Sequence, residues 1–196
     1  MSRFSSLKIA VATLILLIAG CSTPPTSLEA SFLLLPSVAE SNYKNGDSNI
    51  DLASLEWAFS PNGDALPLLY GHTKQLKIVD QAEKAQLQFS IEPQSNESAE
   101  SYSLEIGKQK ITIQAQDQAG LFYAFITLNQ FIEDALDQGL PLPLVQIQDA
   151  PKIAFRPIQI DIKHHLEKKE YYYDLIDELA QLKINGMILE IEDKLQ

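Results

Sequence analysis

The chain is short of cysteine, of basic residues and of long apolar runs, and each shortage excludes something. Cys21 is the single cysteine in 196 residues. No internal disulfide can form, and a free thiol would be a liability in an exported chain. Lys and Arg number 15 against 26 Asp and Glu, a formal net charge of −11. Nucleic-acid binding needs a basic footprint, so no nucleic-acid partner is expected. No apolar stretch reaches the roughly 18–20 residues of a spanning helix. Metal-ligand sets are missing too. His164 and His165 are adjacent, and neighbours on an extended segment point apart; with no third ligand at workable spacing, no metal site and no cofactor are expected. There is no internal repeat, and no low-complexity tract beyond one short Ser/Thr/Pro-rich segment.

What is present begins with a leader. Arg3 and Lys8 precede residues 9–19, apolar apart from Thr13, which is the shape of a secretion signal. The run closes on Ile18-Ala19-Gly20-Cys21. That tetrad resembles the bacterial lipoprotein cleavage box, which implies that Cys21 becomes the mature N-terminus and carries acyl chains. Each buried methylene of such a chain contributes roughly 0.8 kcal/mol to membrane attachment. An ordinary signal peptide with an incidental cysteine is the alternative. The expectation is a chain exported to the bacterial cell envelope and held by lipid, at the outer membrane. Residues 1–21 are then the leader and residues 22–28 a tether. Removing Arg3 and Lys8 makes the remainder more acidic still, so lipid rather than charge would hold it at a membrane.

Hydrophobic residues make up 45% of the chain, enough for a core. Residues 31–35, ended by Pro36, read as a first strand, and the polar residues 39–51 as a loop. Residues 52–59 fit a strand or a helical turn equally; residues 61–64 are a turn, and residues 66–77 are poorly patterned. From Gln86 apolar residues alternate with polar ones: Leu87, Phe89, Ile91; Tyr102, Leu104, Ile106; Ile111, Ile113, Ala115. Period two means one buried and one wet face, the signature of an antiparallel sheet covered on one side. Residues 107–109 close a hairpin, and residues 94–100 form a polar loop. The period then changes. Leu121, Ala124, Phe125, Leu128, Phe131, Ile132 and Leu136 fall at helical spacing, with Asp117 placed to cap the start and Gly139 to end it. The aromatics Phe122, Tyr123 and Phe125 share that face with aliphatic residues, which makes them core rather than a sugar platform. Residues 144–147 are a further strand.

Residues 158–162 read as a strand, 169–182 as a helix and 187–191 as a second strand, which is one strand–helix–strand unit of a parallel array. Around it the text runs I-Q-D-A-P-K-I-A-F-R-P-I-Q-I-D-I-K-H-H from Ile147, then Y-Y-Y-D-L-I-D-E-L-A-Q-L-K-I-N-G-M-I-L-E-I-E-D-K from Tyr171. This resembles the entry to the catalytic barrel of the β-N-acetylhexosaminidases, glycoside hydrolase family 20. Asp149 and Pro151 match the entry, Arg156 and Asp161 the first strand, and His165 its close. Ile176, Asp177, Ala180, Lys183 and Asn185 match the following helix and its exit. Pro157 stands where the family has Gly, and His164 where many members have a second Arg. The E-x-E-D ending of the second strand resembles the hexosaminidase D branch. Upstream, Tyr102, Leu104, Ile106, Ile111, Ile113, Ala115, Gly120, Phe122, Tyr123, Ala124, Thr127, Leu128 and Gln130 match the small α+β domain that precedes such barrels.

The resemblance implies an α+β domain over residues 29–148, an antiparallel sheet with a covering helix. The first unit of a (β/α)8 barrel follows over residues 149–196. A complete barrel takes about 250 residues, so the catalytic domain is expected to be incomplete here. The implied activity is exo-hydrolysis of a terminal N-acetylhexosamine from a glycan, with retention, the substrate's acetamido oxygen attacking the anomeric carbon. An adjacent Asp-Glu pair on a later strand would supply orienting group and acid; Asp177-Glu178 lies on the helix and is not that pair. No catalytic residue is therefore expected in this sequence. Arg156 is the implied holder of sugar hydroxyls, since a planar fork of donors suits a vicinal pair; it sits at the wrong end of its strand for barrel chemistry, and the alternative is an Arg that pairs with a carboxylate at the barrel base. Glu190, Glu192 and Asp193 crowd the end of the second strand, and Asp193 is the other implied sugar contact; the alternative is a salt-bridged rim involving Lys194. Set against this reading is a non-catalytic surface lipoprotein whose α+β domain binds a glycan or a protein partner.

Overall fold

The alternating segments found from Gln86 onward do form strands, and their register shows why. In the computed structural model, residues 31–52, 56–58, 77–78, 85–162 and 166–191 are described. The strands are β1 (Glu40–Asp47), β2 (Glu56–Ala58), β3 (Lys77–Ile78), β4 (Leu87–Ile91), β5 (Tyr102–Ile106), β6 (Ile111–Ala115), β7 (Pro143–Asp149), β8 (Pro157–Asp161) and β9 (Gly186–Glu190). The helices are α1 (Gln118–Gln138) and α2 (Lys169–Gln181). Leu104 of β5 stands opposite Ile113 of β6 and Ile147 of β7, so the apolar residues of three strands share one face. Gln114, Ser103 and Gln148 line up on the other.

The sheet is mixed rather than antiparallel as expected. Its order is β1-β7-β5-β6-β4-β2-β3. The β5–β6 hairpin and the β5–β7 and β1–β7 pairs are antiparallel, while β4 runs parallel to β6, and β2 parallel to β4 and to β3. The parallel pairing of β4 with β6 follows from the connection of residues 92–101, which carries the chain from β4 past β6 to begin β5. Strands β6 and β7 are both antiparallel to β5, so they are parallel to each other, and α1 is their crossover.

Helix α1 covers the apolar face. Leu121, Ala124, Leu128 and Phe131 are buried in one cluster with Leu87, Leu104, Ile113 and Ile147. Phe125 meets Phe89 edge to face at 5.3 Å, a geometry that aromatic quadrupoles favour. Asp117 caps the start, its side chain accepting from Gly120 N–H, and Gly139 ends the helix in the left-handed region at φ +64°. Phe125 and Tyr123 are buried and Phe122 packs against the same cluster, which agrees with the core reading of these aromatics. Leu136, placed on the apolar stripe from its spacing, is instead 48% exposed, while its neighbour Ala135 is buried in the core cluster.

Two segments at the N-terminal side differ from expectation. Residues 31–35 form no strand. They cross α1 as a strap: Leu33 N–H donates to Asp134 Oδ2 (2.7 Å), and Leu35 exchanges hydrogen bonds with Gln130. The first strand is Glu40–Asp47, read from sequence as a loop. Nearly every residue of it is exposed, so it shows no alternation, and its order comes from backbone pairing with β7. The turn at 61–64 lies outside the described residues.

Residues 157–190 form the expected strand–helix–strand unit. β8 and β9 are parallel, with Pro157 opposite Gly186 and Asp161 opposite Glu190, and α2 joins them. No residue of α2 is buried. Ile188 and Leu189 are 45% and 46% exposed, and as consecutive strand residues they point to opposite faces. Both faces of this pair are therefore open, whereas parallel strands in finished sheets are covered on both sides.

Candidate functional site

The strand–helix–strand unit meets the seven-stranded sheet through a compact polar cluster, built from the N-terminal ends of β8 and β9. Arg156 immediately precedes β8; Lys183 and Asn185 immediately precede β9. Asn185 ties the two strand starts together: its Oδ1 accepts from Arg156 N–H (2.8 Å), its Nδ2 donates to Ala154 O (2.7 Å), and its own N–H donates to Arg156 O (3.2 Å). A Cβ at Gly186 would lie 2.5 Å from the Phe155 ring, which would have to turn aside to admit it.

Arg156 reaches across to the sheet domain. Its Nη2 lies 2.7 Å from Glu100 Oε2, its Nε donates to Lys183 O (2.9 Å), and its Nη1 to Ile153 O (2.7 Å). The guanidinium carbon sits 5.3 Å from the centre of the Tyr123 ring, a cation–π placement. Burial, followed by the Glu100 charge, raises the Tyr123 hydroxyl above its usual range, the Arg156 charge opposing both.

Lys183 makes the second junction. It is buried, and its Nζ donates to Asp149 Oδ2 and to Tyr102 Oη, each at 2.8 Å. Tyr102 Oη lies 2.9 Å from the same Asp149 oxygen and 2.6 Å from Thr127 Oγ1, while Asp149 Oδ1 accepts from Ala39 N–H. Every member has a partner, which a buried polar group needs if it is not to cost stability. Burial pushes the Asp149 carboxyl up, but the Lys183 ammonium, with the Tyr102 hydroxyl and the Ala39 N–H, outweighs it and holds the carboxyl below its usual range. Burial also lowers Lys183, and the Asp149 carboxylate recovers only part of that. Tyr102 is raised well above the ordinary phenol by burial and then by the Asp149 charge.

At the other end of the unit lie the C-terminal ends of β8 and β9. Asp161 and Glu190 stand opposite each other there, and Gln159 Nε2 donates to Glu190 Oε2 (2.6 Å). In barrel architectures, this is the end that carries chemistry. Cys21, His164, His165, Glu192 and Asp193, singled out from sequence, lie outside the described residues. Asp177 and Glu178 sit exposed on α2. Arg156 belongs to the opposite end from the mouth, and a sugar contact by its fork would come at the expense of the bonds just given. Among the described residues no group of three His, Cys, Asp or Glu could hold a metal ion.

Asp149, Lys183 and Asn185 entered the sequence reading as motif letters without a role, and Glu100 only as the end of a polar loop. One signal was available. Helix α2 is followed by Leu182-Lys183-Ile184 with no glycine, so a lysine must take whatever conformation ends the helix. A recess of about 390 Å³ opens beside this cluster on the polar face of the sheet, lined by Glu40, Glu92, Glu97, Gln114, Gln148 and Asp149 among others. Its one aromatic, Tyr102, is buried and engaged, so it presents no ring face for a sugar to stack on.

Comparison with known proteins follows the same division. The profile described as Glycosyl hydrolase family 20, domain 2, matches residues 34–150. A β-N-acetylhexosaminidase of Cellulomonas fimi is 25% identical over 130 residues, 66% of this chain and 26% of that protein. A β-hexosaminidase of Vibrio furnissii is 30% identical over 92 residues, 47% of this chain and 15% of that protein. The chain thus spans about a quarter or less of the length of these relatives. Among solved structures, a mutant Streptomyces plicatus β-hexosaminidase in complex with its product GlcNAc aligns with a TM-score of 0.66 at 20% identity, covering 80% of this chain and 34% of that one. The chitobiase of Flavobacterium johnsoniae aligns at 0.65 with 19% identity, covering 83% and 27%. These two likenesses are of fold.

Proposed function

The chain belongs to glycosyl hydrolase family 20 through its domain 2, and on that premise we propose that it is the amino-terminal part of a lipid-anchored exo-β-N-acetylhexosaminidase. In this reading, residues 1–21 are a lipoprotein leader, 22–28 a tether to lipidated Cys21, 29–148 the α+β domain and 149–196 the opening of the catalytic barrel. The whole enzyme releases terminal N-acetylhexosamine from glycans by substrate-assisted, retaining hydrolysis at the cell envelope. The chain of 196 residues is itself inactive, because the Asp-Glu pair that would orient the acetamide and protonate the leaving oxygen is not among them.

The observation that carries the reading is the continuity between the family match over residues 34–150 and a parallel β8–α2–β9 unit that starts at Pro157. The open faces of that unit support it further, since further strand–helix units would cover them. Of the two residues first associated with sugar, Asp193 is kept as a proposed contact at the mouth. Arg156 is assigned to the junction, because its donors are engaged there.

The test is the coding sequence beyond Gln196. A frame that continues through further strand–helix units and an adjacent Asp-Glu pair supports the reading. A stop codon followed by no such sequence, in a chain that still folds, favours the non-catalytic lipoprotein instead.

A further inference from the structure

Among the described residues two non-glycine residues have positive φ, Glu100 at +65° and Lys183 at +57°. That conformation sets an L-residue's Cβ against its own backbone, a strain from which glycine is free. Such strain persists where the surroundings impose it, and often where the side chain has a task. These two residues are not scattered. Each is one partner of an ion pair that joins the sheet domain to the β8–α2–β9 unit: Glu100 with Arg156, and Lys183 with Asp149. One strained residue comes from each side of the junction.

The backbone at Lys183 makes the point sharper. Lys183 N–H donates to Ala180 O and Ile184 N–H donates to Leu179 O, both at 3.0 Å. This is the pattern of a Schellman helix end, in which the residue in the left-handed region is usually glycine. Helix α1 ends on glycine, Gly139. Helix α2 ends on a lysine whose ammonium is buried 2.8 Å from a carboxylate of the other layer. Glu100 is held comparably: its N–H donates to Asp117 Oδ2, the same carboxylate that caps α1, and the Gly120 Cα faces Ser101 O so closely that a Cβ would lie 2.5 Å from it. The start of α1 therefore aims Glu100 at Arg156.

We propose that Glu100, Tyr102, Tyr123 and Asp149 form an intramolecular docking surface on the layer of the seven-stranded sheet and α1, in which Asp149 is the last residue of β7, and that Arg156 and Lys183 are the two plugs by which the N-terminal ends of β8 and β9 seat on it. Two separate ion pairs, one at the start of each strand, fix direction as well as position. The surface grips the unit at the end away from Asp161 and Glu190, so it sets their orientation while leaving that end open. The proposal deepens the hexosaminidase reading in what the open end does, but the latch is tested without any activity.

The experiment is amide hydrogen exchange on the full 196-residue chain. Lys183→Gly removes the ammonium while suiting the left-handed backbone, so the end of α2 is kept. Amides of β8 and β9 should exchange at least tenfold faster than in the parent, while those of α1 and of β4 to β7 stay within about twofold. Lys183→Gly with Asp149→Asn removes both charges and should leave β8 and β9 just as loose. Unchanged or slower exchange in β8 and β9 in Lys183→Gly overturns the proposal. So does loosening of α1 and the sheet to the same degree, since Lys183 would then serve general stability. Recovery of β8 and β9 protection in the double variant also overturns it, because the charges would then be a burden and not a latch.

Discussion

Lys183 Nζ lies 2.8 Å from Asp149 Oδ2, across thirty-four residues of sequence and between two separate layers of the fold. The carboxyl of Asp149 is held below its usual range: burial raises it, and the hydrogen bond and charge of Lys183, with the Tyr102 hydroxyl and the Ala39 N–H, more than reverse that. A carboxyl depressed in the folded state binds fewer protons folded than unfolded, so its contribution to stability is present above the ordinary aspartate value of about 3.9 and fades as pH falls through the depressed value. Removing one partner of a buried pair costs about 3–5 kcal/mol; Asn retains an acceptor, so Asp149→Asn should lose about 3 kcal/mol or a little less at pH 7. Denaturant unfolding from pH 7 to pH 2 should show the gap between parent and variant constant above about pH 5 and closing below it. A gap that widens in acid contradicts the assignment.

Asp117 serves two donors with one carboxylate, Gly120 N–H through Oδ1 and Glu100 N–H through Oδ2. Loss of a helix cap alone costs about 0.5–2 kcal/mol. Asp117→Ala should fall in the upper half of that range, because the Glu100 N–H loses its acceptor too. Equilibrium unfolding in urea measures it, and a loss under about 0.5 kcal/mol would show that Asp117 supports neither.

Leu128 and Leu136 sit eight residues apart on α1 with opposite fates, the first fully buried and the second 48% exposed. Leu128→Ala should cost about 2–5 kcal/mol through lost burial and the cavity left behind. Leu136→Ala should stay within about 0.5 kcal/mol of the parent. Similar losses in the two variants would mean that α1 is rotated from the position described.

The contrast between those two leucines also shows what the sequence could reveal. Leu87, Phe89, Leu104, Ile106, Ile111 and Ile113 were legible as strands because one face is buried, and burial is what writes period two into a sequence. Strand β1 was not legible, since its order comes from backbone bonds to β7, which side chains do not record. The apolar letters of residues 31–35 promised a strand that Gln130 and Asp134 instead hold as a strap. The parallel pairing of β4 with β6 depends on where a polar loop returns, and no local pattern encodes that. Lys183 and Asn185 were visible as family letters, and Arg156 as a candidate for the sugar. Their roles at the junction depend on a positive φ and on partners far away in sequence.

Cys21 follows an apolar run and the tetrad Ile18-Ala19-Gly20-Cys21. Cells expressing the chain with a labelled fatty acid should transfer label to the parent protein, and Cys21→Ala should take up none. Equal labelling of both would rule out the cysteine as the lipid acceptor.

The central claim is that this chain is the opening part of a hexosaminidase and lacks its catalytic groups. The direct measurement is the initial rate on a chromogenic N-acetyl-β-glucosaminide, comparing the purified 196-residue chain with a protein extended along its reading frame. On the proposed reading the chain alone has no acid to protonate the leaving oxygen and no closed site to exclude water, so it should give no enzymatic rate. The account predicts turnover by the extended protein and none above buffer by the chain. Turnover by the chain, or a folded extended protein without activity on such substrates, would contradict it.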